Sequence, residues 1–416
     1  MMWPLIRVGD LVSGGVLALN DGYRVTNREL GPNGIPFVRG GDIGDHGEIE
    51  TNVSDHVLPE FQDRVATKIT RAGDVAFISK GSVGRVGYLR ADQPPAVFAP
   101  QVCYWRSLDH DRLEPRFIFY LLSNAEFQTN LDAVKTHGSM VADYVSLSDQ
   151  KLFRLPLPPI EVQRVIVRIL GALDDKIELN RKTNETLEAI AHALFKSWFV
   201  DGELPAPERV VEDLVVERVL VVGDGYRAKN EELGAEGLPF ARAGDVVGGD
   251  VSTETERLLP ARVPFAGDKI SRAGDVVFTS KGTVGRFAFV REGASPVVYS
   301  PQLCYWRSVD RGRLQPLYLF HWMMGRAFME QVDRVKGQTD MADYVSLRDQ
   351  RRMRVPVPAP EDQHRFVDAV APIDARIEGG RRESRTLAGI RDALLPKLMS
   401  GELRVRDAER AVEAAT

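Results

Sequence analysis

Apolar positions are laid out along this chain in two textures. Over residues 1–158 they fall in short runs cut by Gly, Pro, Asn and Asp: GIPFVRGGDI from Gly34, GDVAFISKG from Gly73, VGYLR from Val86 and VFAPQVCYWRS from Val97. Runs of this length between turn-forming residues predict strands joined by tight turns. PRFIFYLLSNAEFQTNLDAV, from Pro115, instead spaces Phe117, Tyr120, Leu121 and Phe127 as on one face of a helix. An irregular sheet with a few helices is an α+β domain.

At LPLPPIEVQ (Leu155–Gln163) the texture changes. The prolines stop any earlier element. Beyond them Ile166, Leu170, Leu173, Ile177, Leu187, Ala191, Leu194 and Trp198 recur three and four apart, a heptad seam interrupted at Asn180 and Asn184. The pattern predicts a helix about 57 Å long. A second switch, VPVPAPEDQ (Val355–Gln363), opens a second seam of Phe366, Val370, Ile373, Ile377, Leu387, Leu394 and Leu398, with Gly380 and Ser384 where the first has its asparagines. Each glycine of Gly379–Gly380 costs roughly 1 kcal/mol against alanine inside a helix, which predicts a kink or local break there. The charged, Ala-rich tail after Leu403 is expected to fray.

The whole arrangement is written twice. DGYR at Asp21–Arg24 returns at Asp224–Arg227, GIPFVRGGDI as GLPFARAGDV from Gly237, RAGDVAFISKGSVGR from Arg71 as RAGDVVFTSKGTVGR from Arg272, and PQVCYWRS from Pro100 as PQLCYWRS from Pro301. The expected layout is a first recognition domain at 1–158, a helix at 159–200, a second domain at 201–358, a helix at 359–403 and a tail at 404–416. A helix with one apolar seam is not stable alone in water. The two helices are therefore expected to bury their seams against each other as an antiparallel coiled coil, with pseudo-two-fold symmetry between the copies; the blander alternative is that each packs on its own domain or on a partner. Two copies of one domain carry two copies of one site, which suits a long repetitive partner such as duplex DNA.

The 416 residues carry a formal charge of −5, which counts against the basic excess usual in DNA-binding domains and is reconciled with a DNA partner only if cations and acids are segregated on different faces. No apolar run reaches spanning length and no secretory signal is apparent, so a cytoplasmic protein without membrane association is expected. Cys103 and Cys304 occupy matched positions and read as reduced, buried core residues. No Cys/His set has metal-ligand spacing. Phosphate-loop, dinucleotide and nucleophile-elbow motifs are missing, and none of the seven histidines is matched between the copies. The chain is expected to hold no catalytic residues, no metal and no cofactor of its own.

The candidate contacts come in matched pairs. Ser79, Lys80, Ser82 and Arg85 in SKGSVGR return as Ser280, Lys281, Thr283 and Arg286 in SKGTVGR, where glycines let backbone N–H groups approach an anion and the cations add donors for phosphate or base edges. The bland alternative is a turn with solvated charges. Arg39 and Arg242 end strands, where an arginine reaches guanine with both arms or else pairs with the nearby Asp42 or Asp245. Tyr23–Arg24 and Tyr226–Arg227 follow Asp-Gly turns, and either contact DNA or pack on the sheet. Gln101 and Gln302 read more readily as buried core glutamines than as adenine readers, and Arg106 and Arg307 as either structural or basic-face residues. THGSMVADY and GQTDMADY differ in the middle, so if the two domains read different bases His137, Ser139, Gln338 and Thr339 are where it shows; the bland alternative is a loop that tolerates change. Ser146 and Asp149, like Ser346 and Asp349, read as helix caps.

Taken together, GIPFVRGGDI, the GDVAFISKGSVGR segment, the long spacer LPLPPIEVQRVIVRILGALDDKIELNRKTNETLEAIAHALFKSWF and their second-copy equivalents resemble the specificity subunit of Type I restriction–modification systems over nearly the whole chain. The resemblance implies two target-recognition domains, each reading half of a bipartite double-stranded DNA target, with the helices setting the unread gap. It further implies two modification (methyltransferase) subunits that methylate adenine N6 with S-adenosylmethionine, and restriction subunits driven by ATP with magnesium, all of that chemistry lying in the partners. Because the two copies share their loop residues, the halves are expected to be similar and opposed, a near-palindrome with a gap. A self-sufficient nucleic-acid enzyme and a scaffold that binds no DNA are the competing readings.

Overall fold

A computed structural model of the chain describes residues 3–44, 46–134, 136–138, 141–202, 206–336 and 343–403. The chain forms two compact units: Met1–Asn180 together with Arg382–Thr416, and Arg181–Arg381.

In the first unit the apolar runs form two four-stranded sheets. One, wholly antiparallel, runs Leu17–Asn20, Val102–Ser107, Val75–Ile78, Val86–Tyr88. The other runs Leu30–Gly31, His56–Val57, Ile35–Val38, Val97–Phe98, its last pair parallel. Val75–Ile78 is buried at every position, the continuous apolar run of a strand covered on both faces. One face carries Val75, Phe77 and Trp105 into a core shared with the helix Pro115–Ser123. The other carries Ala76, Ile78 and Tyr104 into a core with Ile43, Ile49 and Phe98. The helical pattern expected from Pro115 is divided in two, because Asn124 adopts an extended conformation and a second helix, Ala125–Val134, follows.

The second unit repeats this order. Its sheets are Leu220–Asp224, Leu303–Ser308, Asp275–Thr279, Phe287–Phe289, and Leu233–Gly234, Arg257–Leu258, Leu238–Ala241, Val298–Tyr299. Each unit also pairs its opening strand with the strand before its long helix: Leu5–Arg7 with Arg154–Pro156, and Glu208–Val210 with Arg354–Pro356.

Both long helices are continuous, Ile160–Phe199 and Pro360–Ser400. The second therefore runs through Gly379–Gly380 without the expected break. The reason is steric: a Cβ on Gly380 would lie 2.8 Å from Asn184 Oδ1, so the glycine makes room for the asparagine opposite. Within the first unit, Ile166, Leu170 and Leu173 share a core with Leu387, Leu394 and Leu398. Asn180, 2 % exposed, donates to Glu383 and Ser384 at 2.8 and 3.4 Å, while Asp174 pairs with Arg391 at 2.9 Å. As one residue number rises its partner's falls, so these segments are antiparallel. Within the second unit Glu188 meets Arg381, and Phe195 and Trp198 meet Phe366, again antiparallel. The seams are wider than the heptad reading, since Ile169, Phe195, Leu395 and Met399 are buried as well.

Gln163 and Gln363 tie each helix start to its unit. Both are fully buried. Gln163 accepts from Glu114 N at 3.0 Å and donates to Arg112 O and Pro158 O at 3.0 and 2.8 Å. Gln363 does the same with Gln315 N, Arg313 O and Pro358 O. Every hydrogen-bonding direction of the amide but one is used, which is the physical content of the proline-then-glutamine signature.

Candidate nucleic-acid interface

The loops that carry the candidate residues are stitched edge to edge by backbone hydrogen bonds. In the first unit Tyr23 N donates to Phe98 O, Ala99 N to Val38 O, Ser79 N to Gln101 O and Val145 N to Ser79 O. This set brings together the Asp21–Arg24 turn, the Arg39 strand end, the Lys80 turn, Gln101 and Tyr144. In the second unit Tyr226 N to Tyr299 O, Ser300 N to Ala241 O, Ser280 N to Gln302 O and Val345 N to Ser280 O repeat the set. Gly22 and Gly225 permit it: a Cβ on either would fall 2.0 Å from the carbonyl oxygen of Ala99 or Ser300.

Within this edge the predicted residues divide by role. Lys80, Ser82 and Arg24 are exposed in the first unit, and Lys281, Thr283, Arg286 and Arg227 in the second. Gly81 and Gly282, beside the lysines, have φ of +88° and +82°, and a Cβ on either meets nothing within 4 Å, so backbone there faces open space. Ser79 and Ser280, by contrast, are buried, at 6 % and 0 % exposure. Their hydroxyls bond the carbonyls of Gln101 and Gln302 and accept from the Cys103 and Cys304 thiols, so they brace the turn from inside and do not serve as surface donors. Both cysteines are free and buried, as expected, and burial pushes their thiols up. Arg85 is half-buried and donates to Ile43 O at 3.0 Å, so its first role is to tie the turn to the neighbouring sheet.

Arg39 and Arg242 do pair with acids, but with Asp55 at 2.7 Å and Glu256 at 2.6 Å. Asp42 and Asp245 cap the arginines' own backbone N–H groups, at 2.7 Å each. Both guanidiniums are partly exposed and lie over Phe37 and Phe240. Tyr23 and Tyr226 are half-buried, with hydroxyls 3.3 and 3.4 Å from Glu29 and Glu232, so only Arg24 and Arg227 of these pairs are offered to solvent. The Glu29 carboxyl is held down to about 2, first by the Thr26 N–H and then by the Thr26 hydroxyl, Arg64 and Tyr23. Ser146 and Ser346 cap helices with Asp149 and Asp349, as read. His137 lies on the short strand Thr136–Gly138. Ser139, Gln338 and Thr339 lie outside the described residues.

Two matched pairs at the edge were missed or misjudged in the sequence. Gln101 and Gln302 are exposed and not buried; Gln302 Oε1 accepts from Ala243 N at 3.3 Å. Tyr144 and Tyr344, 44 % and 47 % exposed, are bridged to Lys80 and Lys281. Their signal was present, since ADYV recurs, but nothing local ties them to a lysine more than sixty residues away. Arg106 and Arg307 resolve the other way: each clamps a buried aspartate, Arg106 with Asp74 at 2.6 Å and Arg307 with Asp275 at 2.6 Å, and serves structure, Arg307 from within the core and Arg106 from its margin.

Arg24, Lys80, Arg227, Lys281 and Arg286 have no hydrogen-bond or ion-pair partner for their side chains among the described residues. Cations left unpaired beside exposed tyrosine and glutamine, around open glycine backbone, suit a polyanion with flat bases. Among the described residues there is no group of three or more His, Cys, Asp or Glu placed to hold a metal, and no helix long and apolar enough to cross a membrane.

A head of two small sheets, built twice and each time followed by a long helix, is an arrangement also found among known proteins. The family of the Type I restriction modification DNA specificity domain matches residues 8–189. The MjaIX specificity subunit of a Type I restriction enzyme from Methanocaldococcus jannaschii is 24 % identical over 97 % of this chain and 94 % of its own. The HindI specificity subunit from Haemophilus influenzae is 36 % identical over 29 % of this chain and 24 % of its own. A solved S subunit of a Type I restriction–modification system from M. genitalium shares the fold, with a TM-score of 0.56 over 95 % of this chain and 96 % of that one at 17 % identity. The chain thus carries the Type I restriction modification DNA specificity domain over residues 8–189 and is similar to specificity subunits over nearly its whole length.

Proposed function

We propose that the chain is the DNA-reading, non-catalytic subunit of a Type I restriction–modification complex, each head contacting one half of a bipartite duplex target. The observation that carries this reading is the edge itself: the same open glycine backbone, unpaired lysine and exposed tyrosine occur in both units. Lys80 and Lys281 supply phosphate contacts, which confer affinity without sequence and weaken with salt. Arg39, Arg85, Arg242 and Arg286, with Gln101 and Gln302, supply base-edge donors, at about 1–3 kcal/mol of discrimination for a good bidentate pair. Arg39, Arg85 and Arg242 would exchange present partners for a base, whereas Arg286 is already exposed. Since the edges share these residues, the halves are similar and opposed. The domain layout read along the chain makes the two long helices the spacer of the unread gap. Two modification subunits carrying S-adenosylmethionine, and restriction subunits using ATP and magnesium, are the partners in which chemistry occurs, and the complex works in the cytoplasm.

The test is to map N6-methyladenine across the genome of cells with and without this gene, its partner genes intact. The expected result is a gapped motif with two similar halves that vanishes with the gene. Methylation unaltered by the deletion would refute the assignment.

A further inference from the structure

The two edges differ at one place where the chain has exchanged residues. In the first unit Phe61 packs into a cluster with Tyr23, Val65 and Ile69, and Arg64 stacks on it at 5.3 Å while pairing with the buried Glu29 at 2.9 Å. In the second unit the corresponding residues are reversed. Arg262 stands in place of Phe61 and Phe265 in place of Arg64. Arg262 now pairs with the buried Glu232 at 3.2 Å and lies 5.9 Å over the ring of Phe265. The need of the buried carboxylate for a guanidinium is met in both units. What changes is the aromatic ring, half-buried against a core cluster in the first unit and at the surface in the second, where Phe265 is 68 % exposed.

The place of that ring is fixed. The turn Val263–Ala266 is held at one end by Arg262 on Glu232, the same carboxylate that receives the Tyr226 hydroxyl, and at the other by Lys269 on Asp224 at 2.8 Å. Asp224, Tyr226 and Arg227 belong to the turn at the candidate edge, and Asp224 and Arg227 both act on the Tyr344 hydroxyl. Val263 and Ala266 pack with Tyr226, so Phe265 is left on the outer side of a clamped turn, next to the Arg262 guanidinium that holds the turn to Glu232. Water gives a phenyl ring no reason to occupy such a place, whereas the duplex offers one apolar group in its major groove, the methyl of thymine.

We propose that Phe265 is a specificity-determining residue that contacts a thymine methyl in the half-site read by the second unit, a contact with no counterpart in the other half. The inference rests on the DNA-reading function above and adds to it a single position at which the two similar halves differ. Arg64, its hands full with Glu29 and Phe61, makes no such demand in the first unit.

The experiment is the same methylation map, made with the full complex carrying the wild-type chain, Phe265→Ala, Phe265→Leu, or the exchange Arg262→Phe with Phe265→Arg that installs the first unit's arrangement. The expected wild-type motif requires thymine at one position in one half only. Phe265→Ala and the exchange relax that requirement by roughly tenfold in relative methylation, the scale of one lost apolar contact. Phe265→Leu, still apolar, keeps most of it, and the other half stays unchanged in all three. An unaltered motif in Phe265→Ala, or relaxation of both halves together, overturns the proposal, as does loss of all methylation by variants that retain the wild-type melting temperature. If wild-type cells show no gapped motif at all, the DNA-reading function itself fails, a separate outcome.

Discussion

At the position where the first unit has Tyr120, bonded through its hydroxyl to Asp174 at 2.6 Å, the second has His321. The ring is 9 % exposed, its Nε2 has no partner among the described residues, and Phe195, Phe320 and Phe366 surround it. Burial lowers its pKa from 6.5 to about 4, with Asp374 opposing and His192 adding to the shift. Between those values the unfolded chain holds a proton that the native unit does not. Stability is therefore full above the unfolded pKa and drains away as pH falls toward the folded one, by about 3 kcal/mol in all. Hydrogen exchange of the helix Pro316–Met323, measured from pH 7 to pH 4.5 and corrected for intrinsic rates, should show this decline, and His321→Phe should flatten it. An unchanged slope in that variant would assign the acid sensitivity elsewhere. The Arg307–Asp275 clamp shows the same pressure answered differently: an arginine in the core is tolerated because its aspartate takes two of its N–H groups, at 2.6 and 2.7 Å. A sequence shows an arginine at a strand end but not which of the 59 acids or of the many carbonyls it will find, which is why Arg39, Arg85, Arg106 and Arg307 look alike on paper and are used in different ways.

Elements were legible where their cause is local. The strand runs, the two long helices and the Ser146 and Ser346 caps follow from side-chain period and capping chemistry within a few residues. The division at Asn124 did not show, because apolar spacing carries on across it. There Asn124 O accepts from Gln128 N at 3.0 Å, and the Gln128 side chain takes up Leu122 O at 2.6 Å, so the second helix starts where the pattern promised the first would continue. Gly379–Gly380 misled for the opposite reason: propensity is a local cost, and the gain from seating Asn184 is not local. Buried Gln163 is the sharpest case of an element fixed by one side chain. Gln163→Leu preserves volume but removes the partner of Glu114 N, Arg112 O and Pro158 O, the last of these in a buried bond. A loss of about 3 kcal/mol is expected, since an unmet buried group costs about 1–3 kcal/mol and the chain will relax around some of them. It should appear as lower thermal stability, with faster amide exchange in the first turns of Ile160–Phe199 than in its middle. If that turn keeps its protection, the glutamine is not what holds the helix to its unit.

On the scale of the chain, the first unit is completed by residues from far along the sequence. Leu387, Leu394, Leu395, Leu398 and Met399 belong to the same core as Val8, Trp105 and Leu170, and Trp3 donates to the carbonyl of Leu398 at 3.3 Å. Burying five such side chains contributes about 10 kcal/mol as an upper bound, comparable with the whole stability of a domain. Proximity in sequence gives no hint of this, because the partners of Ile166–Leu173 lie more than two hundred residues downstream, and only the reading of two seams that need covering points to it. The consequence is that a cut in the second helix should injure the first head. A chain ending at Arg381 keeps every residue of the second unit and deprives the first of its closing helix segment. Limited proteolysis of that chain should cleave rapidly within residues 3–180 while 206–336 stays protected, and a peptide spanning 382–403 should restore protection to the first head when added in excess. Equal loss in both heads, or loss confined to the second, would mean that the segment 382–403 is not part of the first unit's core.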